Sequence, residues 1–280
     1  MTEALNIDLH THSSCSDGAL QPAELVRQCA AAGVQVLALT DHDTTAGLDE
    51  AWRQALELGV RLVPGVEISA SWRAQSIHIL GLWIDPAQQA LRNALDGQAV
   101  RRVTRMRNIC DHLTRRGLPG GQLLATVEAV DGMPTRAHLA AAMVEAGHAR
   151  STEDAFRKHL GRGVAAQLAS DWPALSEVVE WIIGAGGVAT LAHPARYRLS
   201  SGGRRQFLAD FAAAGGTAIE VVTGANAAHN IEPCTRWAAS HGFAGSIGSD
   251  FHDPHLSWNP LGRLAKLPPG VTPVWRDRLV

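Results

Sequence analysis

Asp8-Leu9-His10-Thr11-His12, followed at once by Ser13-Ser14-Cys15-Ser16-Asp17-Gly18, is the stretch on which the fold turns. Its apolar start and the Gly/Ser/Asp cluster behind it predict a strand over residues 5–12, with Asp8, His10 and His12 alternating onto one face. Two imidazoles and a carboxylate side by side are costly to bury unless hydrogen bonds or a metal ion satisfy them. The string by itself leaves both answers open, so the remaining strands must discriminate.

Outward from it the same unit repeats. A helix entered through Pro22 runs to Gly33, and an apolar strand from Val34 to Thr40 ends in Asp41-His42-Asp43. A helix from Leu48 to Gly59, with Leu48, Trp52, Ala55 and Leu56 apolar, precedes a strand from Val60 to Ser69 that contains Glu67. Ser76 to Ile84 reads as a further strand carrying His78. After Trp172 a helix to Gly186 leads into Val188–Ala192 and His193-Pro194, and a helix from Arg205 to Gly215 leads into Ala218–Val222. A last helix, Pro233 to Gly242, leads into Phe243–Ile247 and Gly248-Ser249-Asp250-Phe251-His252. Strands alternating with helices predict right-handed βαβ units and a mainly parallel sheet, an α/β barrel, with polar residues at the strand ends.

Between these halves the pattern is helical. Val103, Met106, Cys110 and Leu113 mark a stripe, with arginines 101, 102, 105, 107, 115 and 116 reading as a solvated face. Helices follow from Arg136 to Gly147, and from Ser151 to near Gly161. Residues 99–168 are thus expected to be a helical insertion, or cap, within a barrel formed by 1–98 and 169–280. The insertion holds 11 Lys and Arg against 6 Asp and Glu, while the remainder is acidic. An anion-facing role suits Arg136, Lys158 and Arg162.

The 280 residues are 46% hydrophobic, enough for one large barrel or two ordinary domains, and the net charge of −2 advertises neither nucleic acid nor membrane. Four scattered cysteines without a C-x-x-C pair argue against a thiolate zinc site or a disulfide framework and fit a reducing cytoplasm. No basic-then-apolar leader and no apolar run near ~18 residues is present, so the expected protein is neither exported nor membrane-spanning. The thirteen histidines are the unusual number.

In α/β barrels the carboxyl ends of the strands converge on one mouth. That rule gathers His10, His12, Asp17, His42, Glu67, His78, His193, Asp250 and His252. Singly, His78 in an apolar strand is most simply a hydrogen-bonded core histidine, and Asp17-Gly18 an ordinary turn. Jointly, six imidazoles and three carboxylates at one end of a sheet suit two or three divalent cations such as Mn²⁺, Zn²⁺ or Fe²⁺, with Glu67 able to bridge. Asp8 is expected to orient an imidazole.

Asp8-Leu-His10-Thr-His12, Thr40-Asp41-His42-Asp43, Gly65-Val-Glu67-Ile-Ser69, Ala192-His193-Pro194 and Gly248-Ser-Asp250-Phe-His252, in this order, resemble the signature of the PHP-type metallophosphoesterases. The resemblance implies a distorted seven-stranded β/α barrel with one ion on His10, His12, Glu67 and Asp250. A second would lie on Glu67, His78 and His193, and a third on Asp17, His42 and His252. It also implies a hydroxide bridging metals held by Glu67, Asp250 and His193. The helical insertion, with Met133-Pro-Thr-Arg136 and Phe156-Arg-Lys158-His-Leu-Gly-Arg162, is similar to a subgroup that includes 3′,5′-nucleotide bisphosphate phosphatases and 5′-to-3′ exoribonucleases.

The expected activity is hydrolysis of the 3′-phosphate of a nucleoside 3′,5′-bisphosphate, or of short 5′-phosphorylated RNA. No membrane or protein partner is implied. The second phosphate would meet Arg136, Lys158, Arg196, Asn226 and His229, of which Arg196 follows His193-Pro194 most closely. Competing expectations are a histidinol-phosphate type of phosphatase, which needs no second anion site, and a PHP scaffold without catalysis.

Overall fold

Strand β1 (Ile7–Thr11) is buried along its whole length and begins a seven-stranded sheet whose order follows the chain. The structure, a computed structural model, describes residues 5–73, 75–161, 171–224, 228–255 and 259–279. β1 pairs in parallel with β2 (Val36–Leu39), and β2 with β3 (Arg61–Trp72). On the far side β5 (Val188–Leu191), β6 (Ala218–Thr223) and β7 (Ala244–Gly248) are parallel neighbours. Just beyond β7 the edges meet: Asp250 N donates to His10 O at 2.8 Å and His12 N to Phe251 O at 2.9 Å. The expected seven-stranded α/β barrel is therefore nearly closed, and its closing hydrogen bonds are made by the residues that carry the chemistry.

One strand departs from the parallel expectation. β4 (Gln75–Leu82) runs antiparallel to both β3 and β5. Only two residues of chain separate β3 from β4, too few for the crossover that a parallel partner requires. His78 therefore lies near the beginning of its strand, not at a carboxyl end, and the reversal of β4 turns that beginning toward the mouth; it pairs in register with Ser69.

Alternation along β2 divides the core. Val36 and Ala38 join the cluster of Ile7, Leu9 and Val63, while Leu37 and Leu39 lie with α1 (Pro22–Ala31) and α2 (Leu48–Leu58) in another. On α2 the buried residues are Leu48, Ala51 and Ala55; Trp52 and Leu56 are exposed, contrary to the expected stripe. The small Ala51 and Ala55 side chains suit close packing against α1.

After β4 comes the helical segment: α3 (Gln89–Arg115), α4 (Gly120–Glu128), α5 (Arg136–Glu145) and α6 (Thr152–Ala155), which continues as a π turn (Phe156–Leu160). Residue 99 falls inside the continuous α3. Met106, Ile109, Leu113, Leu123, Leu139 and Met143 form a separate core there. Each fully buried side chain of this kind contributes about 1.5–3 kcal/mol. The chain returns through α7 (Leu175–Gly184), α8 (Ser201–Ala213) and α9 (Ala228–His241), which alternate with the last strands. Among the described residues no helix is long and apolar enough to cross a membrane.

Candidate metal centre

The first two imidazoles come from β1 and the residue after it, and the loop behind them is folded tightly onto the strand. A Cβ on Gly18 would lie 2.2 Å from His12 O, so only glycine allows this approach. Asp41 clamps the same loop, accepting from Ser13 N at 2.7 Å, Ser13 Oγ at 2.6 Å and Ser16 Oγ at 2.7 Å. This places Asp17 beside His12 and beneath His252.

Glu67, fully buried on β3, is the hub. Its Oε2 lies 3.3 Å from His10 Nε2, 3.3 Å from His12 Nε2 and 3.0 Å from His42 Nδ1. Its Oε1 lies 2.9 Å from His78 Nδ1 and 3.0 Å from His193 Nε2. Asp250 adds Oδ1 at 3.3 Å from His10 Nε2 and 3.2 Å from His12 Nε2. At the outer edge Asp17 Oδ1 is 3.3 Å from His252 Nε2 and 3.8 Å from His42 Nε2. Among the described residues three groups of side chains could each hold an ion: His10, His12, Glu67 and Asp250; His42, Glu67 and His78; His12, Asp17, His42 and His252. His193 reaches the second group through Glu67 Oε1.

The donor set fits divalent cations. His10 Nε2 and His12 Nε2 are 3.1 Å apart, and each lies 3.2–3.3 Å from Glu67 Oε2 and Asp250 Oδ1, five near-equal edges of a four-atom cage. Atoms at that spacing lie about 2 Å from the centre of a tetrahedron, the range of metal–nitrogen and metal–oxygen bonds. Glu67 Oε2, Asp17 Oδ1 and His42 Nδ1 are buried, and although each lies 3.0–3.3 Å from another ligand atom, none meets it in hydrogen-bond geometry. Such atoms are costly unless an ion satisfies them.

Charge in the cluster is strongly coupled. Burial opposes ionisation of Glu67, but His42, His78 and His10 outweigh it and hold the carboxyl well below the usual range. The Asp17 carboxyl is likewise low, burial being overcome by His42 and His252, and that of Asp250 by Arg196 and His10. Burial pushes His42 down to about 4, with Glu67 and Asp17 only partly opposing it. His252 is pushed up to about 10, because Asp17 and Asp250 overcome its burial. Carboxylates kept ionised, and imidazoles kept protonated only by those carboxylates, are groups that exchange protons for metal.

Beside the cluster opens a cavity of about 240 Å³, lined by Asp17, His42, His78 and His252 from the barrel and by Arg102, Arg105 and Arg136 from the helical segment. Met106, Ile109 and Phe156 add an apolar side. Arg102, read from the sequence as solvated, is buried: Nε donates to Asp43 Oδ2 at 2.7 Å and Nη2 to Ser69 Oγ at 3.1 Å. Arg105 is half-buried; burial, then Arg136 and Arg102, push its guanidinium down to about 10, so it is still charged at neutral pH. Arg136 begins α5, behind the N-cap Thr135 whose hydroxyl accepts from Ala137 N and His138 N.

Other expected contacts fall elsewhere. Lys158 is bound to Asp154 at 2.8 Å, one helical turn away, and is not on the cavity wall. The i,i+4 spacing closes this pair within its own turn, so Lys158 serves the helical segment. His229 is exposed in the first turn of α9 and is not on that wall. Arg196, at the end of a 3₁₀ turn (Pro194–Arg196), forms an ion pair with Asp250. Asn226 and Arg162 lie outside the described residues. Asp8 orients no imidazole: its Oδ1 accepts from Ser249 N at 2.8 Å and His10 N at 3.3 Å, tying β1 to the end of β7.

Two sets of residues escaped the sequence reading. The buried stripe of α3 runs Leu91, Leu95, Gln98, Arg102, Met106, Ile109, Leu113. Its three- and four-residue steps pass through Gln98 and Arg102, which was the available signal. Glu220 was visible as a lone carboxylate in the apolar Ala218–Val222, and a charge there requires a partner.

Comparison with known proteins places this geometry. The PHP domain model matches residues 8–147. A 5′-3′ exoribonuclease of Haemophilus influenzae is 41% identical, covering 96% of this chain and 97% of its own. A 3′,5′-nucleoside bisphosphate phosphatase of Chromobacterium violaceum is 39% identical over 97% of this chain and 96% of its own. The solved structure of an amidohydrolase from Chromobacterium violaceum, with bound sulfate and no metal, is 38% identical and has a TM-score of 0.90, covering 97% of this chain and 95% of that one.

Proposed function

The chain belongs to the PHP domain family, and on that premise we propose that it removes the 3′-phosphate of a nucleoside 3′,5′-bisphosphate, such as adenosine 3′,5′-bisphosphate, releasing the 5′-mononucleotide and phosphate. The carrying observation is one cavity lined both by metal-competent side chains of the barrel and by three arginines of the helical segment. A substrate with a phosphate at each end matches that combination; a monophosphate leaves the arginines without a counter-charge.

In this proposal two to three divalent ions, with Mn²⁺ the expected choice, are held by the nine ligands and supply an acidified water and a clamp on the phosphoryl oxygens. Glu67, Asp250 and His193 would hold the ions that carry the attacking hydroxide. Arg196, anchored by Asp250, adds positive charge beside the reacting phosphate. Arg105 and Arg136 take the phosphate that is not cleaved, and Arg102, fixed by Asp43, braces them. Met106, Ile109 and Phe156 face the nucleoside. The helical segment acts as the cap that measures the distance between the two phosphates. Free cysteines in a chain of this composition suit a cytoplasmic enzyme.

A second activity follows from the same grip. The Haemophilus relative is named for cleavage of RNA from its 5′ end, and a 5′-phosphorylated oligonucleotide presents the same pair of phosphates. Turnover of adenosine 3′,5′-bisphosphate and of a 5′-phosphorylated trinucleotide, each with Mn²⁺, separates the two. Release of 5′-AMP from the bisphosphate is expected; release from neither substrate would end the proposal.

A further inference from the structure

Glu220 lies fully buried on β6, beneath the ligands and outside all three metal-ligating groups. Each of its oxygens has a different task. Oε1 accepts from His10 Nδ1 at 3.0 Å, and Oε2 accepts from the backbone N–H of His193 at 2.6 Å. Thr223 Oγ1 adds a donor to Oε2 at 3.3 Å.

The two partners serve different parts of the cluster. His10 presents Nε2 to His12, Glu67 Oε2 and Asp250; His193 presents Nε2 to Glu67 Oε1. His193 has φ +32, a left-handed conformation that a non-glycine residue holds only when its surroundings impose it. The neighbouring backbone makes room for the carboxylate: a Cβ on Gly248 would lie 2.3 Å from His10 Cβ and 2.7 Å from Glu220 Oε1. A register shift in β6 falls immediately after Glu220, the kind of irregularity that re-aims a side chain.

We propose that Glu220 is a positioning residue that fixes the Nδ1–H tautomer of His10 and the backbone turn of His193, and so aims one imidazole into each of two ion sites. The inference rests on the cluster's being a metal centre and is independent of which ester is cleaved.

The chemistry is specific to a carboxylate. His193 N–H can only donate, so in a Glu220→Gln protein it claims the amide oxygen. The amide NH₂ then faces His10 Nδ1 and forces the ring proton onto Nε2, the nitrogen that faces the ligand cage. Loss of such a partner weakens metal binding by about 10- to 100-fold.

Two measurements test this without a substrate. In zinc-loaded wild-type protein, nitrogen-15 spectra should show His10 protonated at Nδ1. Metal titration of Glu220→Gln should show weakened binding at the His10 and His193 sites together, with the Asp17–His42–His252 group retained and the metal-free melting temperature near wild type. Glu220→Asp, which keeps both oxygens, should recover part of the affinity. Wild-type affinity and stoichiometry in Glu220→Gln, or His10 protonated at Nε2 in the zinc-loaded wild type, would overturn the proposal. The second outcome can be read even if the variant does not fold.

Discussion

The mouth of the barrel and the helical segment above it solve opposite problems with charge. At the mouth, imidazoles and carboxylates from separate strand ends are buried against one another, with Glu67 shared by both sides of the cluster. In the helical segment the cations come from α3 and the start of α5, and Arg105 and Arg136 stay half-exposed beside the cavity. Strand topology gathers the reactive groups, because parallel strands deliver their ends to one place. Helix phase sets the rest of the cavity lining, since Arg102, Arg105, Met106 and Ile109 share the side of α3 that faces it.

The sharpest way to break this comparison is to remove the hub. Glu67→Ala takes a ligand from two groups, each worth about 10²–10³-fold, so turnover should fall by about 10⁴- to 10⁶-fold. Metal content should fall with it, while an arginine substitution in the cap leaves the bound metal unchanged. Removing the brace is next. Arg102→Leu leaves Asp43 buried without its cation, and denaturant unfolding should show a loss of about 3 kcal/mol. Asp43→Asn in the same protein should restore part of it.

A smaller effect is expected from the arginines proposed to hold the uncleaved phosphate. Arg105→Ala or Arg136→Ala should raise KM for the bisphosphate by about 10- to 100-fold, the worth of a charge-assisted hydrogen bond, with kcat changed little. A further test concerns pH. In chelator-treated protein His252 is raised from its ordinary 6.5 to about 10, since Asp17 overcomes burial. A raised pKa stabilises the fold fully below about 6.5, and this is lost as pH rises through about 10. The melting temperature should therefore decline across that window, by about 2–4 °C per kcal/mol lost, and His252→Gln should flatten the decline.

What the sequence made legible follows the same division. His10, His12, His42, His193, Asp250 and His252 could be found because each ends or closely follows an apolar strand, and strand ends are visible as a switch from apolar to polar residues. The order of the seven strands follows from the chain order, but the reversal of β4 does not: Ser76–Ile84 is equally apolar in either direction. Lys158 and Arg105 differ in nothing a sequence shows except phase. Lys158 is one turn from an aspartate that captures it, whereas Arg105 lies three residues after Arg102, on the side facing the cavity. Glu220 was legible as an anomaly without an assignment, because its partners lie 210 and 27 residues away.

Cleavage of one phosphate while the other is gripped is tested most directly by comparing kcat/KM for adenosine 3′,5′-bisphosphate and adenosine 3′-monophosphate, with the products identified by phosphorus NMR. The bisphosphate should be preferred by about 10²-fold or more, given two arginine contacts, and should yield 5′-AMP and inorganic phosphate. Equal turnover of the two substrates, or release of the 5′-phosphate, would contradict the assignment of Arg105 and Arg136 to the uncleaved phosphate.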